Sequence, residues 1–238
     1  MGKLQKFCAL DNCRSKMISY PYLMEYIGAI FDQDGLLFDT ERIFQLAWLE
    51  SASEQGVAID PLFPRTFCGK PQSLIAEISK KAYPALDVEK YCKRAVDLAW
   101  SRQLSSVPEK KPGLLDMLEF CRANGVKTAV ASSSTIKVIE HNLVSSGIRD
   151  YIDAIAYGEE VEHGKPAPDI FLLAAKRLGI APRCCCVFED AISGILGAWE
   201  AGCRAVMIPD LVEPNAEVFG KCLVYPSLSA ARAAFDKS

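Results

Sequence analysis

Five short apolar runs, separated by helical stretches that stop at glycine, limit what this chain can fold into. The runs are Tyr26–Phe31, Val126–Ala131, Ala154–Tyr157, Cys184–Phe188 and Ala205–Ile208. The helical stretches Leu114–Asn124, Ile136–Ser146, Asp169–Leu178 and Ile192–Ala201 are followed by Gly125, Gly147, Gly179 and Gly202. Glycine just past a helix end supplies the left-handed cap. Strands alternating with helices predict a parallel sheet covered on both faces, an α/β fold. Ligands of such sheets bind beyond the carboxyl ends of the strands.

One stretch breaks the alternation. From about Glu41 to Lys110 the periodicity is helical with no clear strand. Ile43, Phe44, Ala47, Trp48 and Ala52 make one stripe, Leu74, Ile75 and Ile78 a second, and Ala95, Leu98 and Ala99 a third. An inserted helical module is expected, with Asp39–Glu41 and Val107–Pro112 as its hinges. The division expected is an N-terminal extension (1–24), core (25–40), helical cap (41–110) and core again (111–238).

Composition excludes some classes. The chain has 238 residues, half of them apolar, and a net charge of −3. It lacks the basic field that a nucleic-acid partner usually demands. No run approaches the roughly 18 apolar residues of a membrane span, and Met1 to Ser19 has no signal-type apolar core. A cytosolic monomer is expected. Of ten cysteines, none forms a CxxC pair. Cys184-Cys185-Cys186 should put sulfur on both faces of a strand as small core residues; Cys8 and Cys13 lie in the tail.

The strand ends carry the chemistry. The first run ends in Asp32 and Asp34, and Gly35 lets the chain turn at once. Both carboxylates would share a face if the strand stayed regular; Gly35 argues that it does not. Carboxylates this close repel and need a cation. The second run ends in Ser132-Ser133-Ser134, the third is followed by Gly164-Lys165-Pro166, and the fourth by Glu189-Asp190. That set suits an anionic group held beside a metal. Mg²⁺ prefers oxygen ligands, which Asp32, Asp190 and a carbonyl of the first loop would supply. Lysine is a compact charge suited to phosphate.

Four segments, Phe31-Asp-Gln-Asp-Gly-Leu-Leu-Phe-Asp-Thr-Glu41, Ala131-Ser-Ser-Ser134, Gly164-Lys-Pro-Ala-Pro-Asp-Ile-Phe171 and Phe188-Glu-Asp-Ala191, together resemble the haloacid dehalogenase superfamily. The branch is that of beta-phosphoglucomutase and small sugar-phosphate phosphatases, and the likeness covers about Tyr26 to Pro209. It implies a Rossmann-like core, a helical cap inserted after the first motif, and Mg²⁺-dependent phosphoryl transfer through an aspartyl-phosphate. By position, Asp32 would be the nucleophile. Asp34 would be general acid and then base, its carbonyl ligating the metal. Ser132 and the Ser133 amide would bind phosphoryl oxygens, Lys165 would pair with Asp32 and the phosphate, and Asp190 would complete the metal site with Glu189 as ligand or support.

Residues separate the reactions of this superfamily. Its dehalogenases, which use no metal, and its phosphonate hydrolases lack the second aspartate, so Asp34 sets both aside. The mutase carries a histidine where this chain has Phe44, and an arginine after a cap-loop glycine. Here Cys68-Gly69-Lys70-Pro71-Gln72 has none, with Lys70 as the available substitute. Hydrolysis of a small phosphomonoester, a sugar phosphate or nucleoside monophosphate, is the expected function. A sugar phosphomutase and a catalytically silent metabolite-binding relative are the alternatives. Gln72, Arg65 and Lys70 are the candidate specificity residues.

Other motifs carry less. Five residues lie between Gly158 and Gly164-Lys165 where a P-loop has four, and Pro166 stands where it needs Ser or Thr. No GxGxxG follows a strand. His141 and His163 are too few for a histidine-rich metal site, and Trp48, Trp100 and Trp199 read as packing. Gln33 stands where relatives place an apolar residue; it should face away from Asp32 and needs a partner if buried.

Overall fold

The computed structural model describes residues 26–68, 70 and 72–235. The expected extension, with Cys8 and Cys13, lies outside them. Six strands form one parallel sheet: β1 (Gly28–Phe31), β2 (Lys127–Ser132), β3 (Ala154–Tyr157), β4 (Cys185–Glu189), β5 (Arg204–Met207) and β6 (Cys222–Val224). Their order is β3-β2-β1-β4-β5-β6, with Phe31 in register with Val130 on one side and Phe188 on the other. The connections reverse direction between β1 and β4, so a crevice opens there at the strands' carboxyl ends.

Helices cover both faces. Alternate strand residues Ala29, Phe31, Cys186 and Phe188 pack with α4 (Leu114–Ala123), α5 (Ile136–Ser145) and α8 (Leu228–Phe235). Ile30, Cys185 and Val187 point the other way, onto α6 (Asp169–Leu178) and α7 (Ile192–Glu200). The cysteine run thus places sulfur on both faces of β4. The rings of Phe31 and Phe188 stack with centroids 4.9 Å apart, one residue before Asp32 and Glu189. Gly125, Gly147, Gly179 and Gly202 all have positive φ just past a helix. β6 and α8 were not expected.

Between β1 and β2 lie α1 (Glu41–Glu54), a 3-10 turn (Phe63–Phe67), α2 (Gln72–Ala82) and α3 (Val88–Leu104). They have their own core of Trp48, Ala52, Phe67, Ile75, Tyr91 and Ala95. The two chain crossings run side by side: Asp39 N donates to Glu109 O and Lys111 N to Leu37 O, both at 2.9 Å. A buried amide contact, Asn142 Nδ2 to Gln103 Oε1 at 2.9 Å, joins α5 to the end of α3. Trp199 departs from the expected packing. It is 50 % exposed on α7, because the buried stripe of that helix is made by Gly194, Ile195, Gly197 and Ala198.

Candidate active site

β1 ends at Phe31, so Asp32 and Asp34 both stand beyond the regular strand. The chain folds back at once: Leu37 N and Phe38 N both donate to Gln33 O, and Gly35 N donates to Phe38 O. Gly35 sits at φ +84°, and a Cβ there would come within 2.4 Å of an Asp190 carboxyl oxygen. Glycine is therefore required twice over, for the turn and for the close approach of β4's last loop.

Lys165, in the loop before α6, reaches back under the turn. Its amine donates to Asp32 Oδ1, to Ala131 O at 3.1 Å and to Glu189 Oε1 at 2.6 Å. An ammonium has three donors, and all three are used. Glu189's other oxygen accepts from Ala191 N at 2.9 Å, so this carboxylate anchors the lysine. Room for it depends on Gly194, where a Cβ would lie 1.8 Å from Glu189 Oε1. Alanine favours a helix over glycine by about 1 kcal/mol, but overpacking a rigid site costs about 1–3 kcal/mol or more. Gly194→Ala should therefore lower the denaturation midpoint; a more stable variant would contradict this placement of Glu189.

Asp34 is held by hydroxyls. Thr40 Oγ1 donates to Oδ1 at 2.7 Å, and Ser134 Oγ and Ser132 Oγ donate to Oδ2 at 2.9 and 3.3 Å. Gln33 Nε2 lies 3.4 Å from the same Oδ2, while its Oε1 is buried with no partner among the described residues. The cavity above measures ≈ 480 Å³, within the range of small-ligand sites. Asp32, Asp34, Ser133, Lys165, Glu189 and Asp190 line its floor side, and Lys70, Gln72, Phe44, Trp48 and Trp100 its cap side. Arg65 is not among the lining residues; it is exposed on the 3-10 turn. Thr40, Ser134 and Glu41 were missed as site residues. Their signal was membership of the quoted motifs, the first of which ends in Thr40-Glu41 and the second in Ser134.

Charge is unbalanced here. Burial raises Asp32 to about 8 despite Lys165 beside it, with Glu189 and Asp34 adding to the rise. Burial, then the charges of Glu189 and Asp32, lifts Asp190 well above the carboxylate range. For Lys165 burial opposes the charge, but Asp32 and Glu189 outweigh it and hold its pKa above the ordinary value. One ammonium does not balance these acids. Among the described residues no hydrogen-bond donor reaches the Asp190 carboxyl, and no group of three acidic, histidine or cysteine side chains forms a metal cage by itself. Two buried carboxylates beside main-chain carbonyls are an all-oxygen set that fits a hard divalent cation keeping several waters.

That imbalance has a measurable sign. Asp32 keeps its proton to about pH 8 in the native state but loses it near 3.8 when unfolded. The native state binds more protons in that window, so stability falls as pH rises through it. Thermal unfolding in a chelator should show this fall, and Mg²⁺ should raise the midpoint more at the alkaline end than at about pH 5. Equal Mg²⁺ stabilisation at both ends would contradict the charge account.

Known proteins share this sequence and fold. The fructose-1-phosphate phosphatase YqaB of Escherichia coli is 37% identical over 182 residues, 76% of this chain and 95% of that protein. A phosphorylated carbohydrates phosphatase of Thermotoga maritima is 31% identical over 75% of this chain and 83% of its own length. The crystal structure of beta-phosphoglucomutase from Clostridium difficile superposes with a TM-score of 0.71 at 28% identity, covering 89% of this chain and 98% of that one. The haloacid dehalogenase-like hydrolase profile matches residues 29–208. With its parallel sheet, inserted helices and strand-end carboxylates, the chain belongs to the haloacid dehalogenase-like hydrolase family.

Proposed function

We propose that this protein is a Mg²⁺-dependent phosphatase that hydrolyses a small phosphomonoester, a sugar phosphate or nucleoside monophosphate, through an aspartyl-phosphate on Asp32. One observation carries the reading: Asp32 is clamped by a buried lysine at the β1/β4 crevice, with a second, hydroxyl-held carboxylate two residues on. The names of the two phosphatase relatives support the substrate class.

In the first step an Asp32 oxygen attacks phosphorus and the bond to the leaving oxygen breaks. Asp34 gives that oxygen its proton. In the second, Asp34 takes a proton from water, the water oxygen attacks phosphorus, and the bond to Asp32 breaks. The Ser133 N–H donates to a phosphoryl oxygen, and Ser132 Oγ would have to turn from Asp34 Oδ2, to which it donates at 3.3 Å, to reach another. Lys165 acts on the phosphoryl group through its charge, its donors being taken. Asp32, Asp190 and the Asp34 carbonyl would hold the metal, with Glu189 behind the lysine. When bound, Mg²⁺ offsets the repulsion between phosphate and nucleophile.

Phe44 favours hydrolysis over a mutase reaction. It stands in the cavity wall where the mutase has a histidine, and the cap loop offers Lys70 but no arginine. The protein works as a cytosolic monomer on this reading, without nucleic acid. Among the described residues no helix is long and apolar enough to cross a membrane. Release of para-nitrophenol from its phosphate should require Mg²⁺ and cease with chelator. Mg²⁺-independent release, or none from the wild type, would contradict the proposal.

A further inference from the structure

Glu41 stands outside the machinery just described. It opens α1, next to the Thr40 that holds Asp34, and it lines the same cavity. Its Oε2 accepts from the Cys68 thiol at 3.5 Å, a weak donor. Its Oε1 accepts no hydrogen bond from the described residues, and no cation pairs with it among them. Loss of hydration, reinforced by the charge of Asp34, pushes its carboxyl up to about 7. Burial and Glu41 together push the Cys68 thiol up to about 12, so that sulfur keeps its proton and ties down one oxygen.

Glu41 is half-buried, and a partly dehydrated carboxylate with so few donors is open to hydrogen bonds from a ligand. No other donor among the described residues reaches it, and Glu41 lines the cavity. The neighbours narrow what the donor can be. Gln45 and Gln72 offer amides that both give and accept hydrogen bonds, as hydroxyls require. Lys70 on the same wall disfavours a second ammonium. A carboxylate or second phosphate of a ligand seated against Glu41 rather than Lys70 would meet a like charge.

Resting on the phosphatase reading, we propose that Glu41 is the specificity residue that accepts hydroxyl hydrogens of the leaving alcohol. The substrates are then uncharged polyhydroxy phosphomonoesters, aldose, ketose or alditol phosphates. Phosphorylated acids and bisphosphates are turned away. Cys68 is a positioning residue acting through Glu41.

The test compares kcat/KM of wild type and Glu41→Gln on a hexitol phosphate, its singly deoxygenated analogues, phosphoglycolate and an amino-sugar phosphate. Wild type should prefer the hexitol phosphate to phosphoglycolate by at least about 100-fold, and lose about tenfold or more on the analogue missing the bound hydroxyl. Glu41→Gln should weaken the hexitol phosphate about tenfold, chiefly through KM, and shrink both ratios. Cys68→Ala should shrink them in the same direction by less. Calorimetric binding of the hexitol phosphate to Asp32→Asn, with and without Glu41→Gln, should show the same loss without turnover. A common factor on every ester, or an amino-sugar phosphate turned over fastest, overturns the inference and leaves the phosphatase reading standing. No Mg²⁺-dependent turnover of any ester by the wild type overturns both.

Discussion

Asp32→Asn should abolish turnover, by at least about 10⁴-fold, while leaving the fold as stable as before or more so. The amide keeps the shape of the side chain but cannot attack phosphorus. The stability half of this expectation follows from the same burial. Asp32 is 6% exposed and feels the charges of Glu189 and Asp34, and Asp190 in turn feels its own. Above its raised pKa the native state must hold a charge that the unfolded state solvates freely. Removing it relieves that penalty, and Lys165 keeps Glu189 at 2.6 Å as partner. Kinetics with saturating Mg²⁺ and unfolding in chelator at about pH 9 check the two halves. An inactive variant that is also markedly less stable would mean Asp32 is a structural acid.

Lys165→Met should fail in the opposite sense, losing both activity and stability. The lysine side chain is 9% exposed, its partners Asp32 and Glu189 only 8% and 1%. Taking away the shared cation strands two carboxylates in a poorly hydrated site. Breaking a buried pair from one side costs about 3–5 kcal/mol, partly recovered here as the acids take up protons. Removing a positive charge aimed at the transferring group costs about 10²–10³ in kcat. Denaturant midpoints should therefore drop for Lys165→Met, and drop further as pH rises. Full stability at alkaline pH would show that the buried acids find another partner.

These contrasts explain what the sequence could and could not tell. The sheet was legible because five strands are largely buried and so read as continuous apolar runs, and because α4, α5, α6 and α7 between them each end at a positive-φ glycine. β6 escaped notice because it is a three-residue edge strand only partly buried, which leaves little hydrophobic signal. α8 escaped with it, though Leu228, Ala231 and Phe235 close one face of the core. Trp199 misled because helical spacing does not say which stripe is buried, and α7 buries glycines and Ile195 instead.

At the site, residues at the ends of strands could be found because the fold class says where to look. Residues that serve those side chains could not. Ser134 and Thr40 matter only because the backbone after Asp34 turns back on itself. Glu189 was grouped with possible ligands because composition does not show that both its oxygens are taken by Lys165 and the Ala191 N–H. The buried Gln33, with one amide oxygen unpartnered, has no physical explanation in the structure.

The covalent step can be read from phosphorus itself. A substrate ester made chiral with oxygen isotopes, hydrolysed in water of a third isotope, reports how many in-line displacements occur. Two displacements, first by Asp32 and then by water, give net retention of configuration, and retention is the result this account requires. Net inversion would mean that water attacks the ester directly, and Asp32 would then be a ligand or a base rather than the nucleophile.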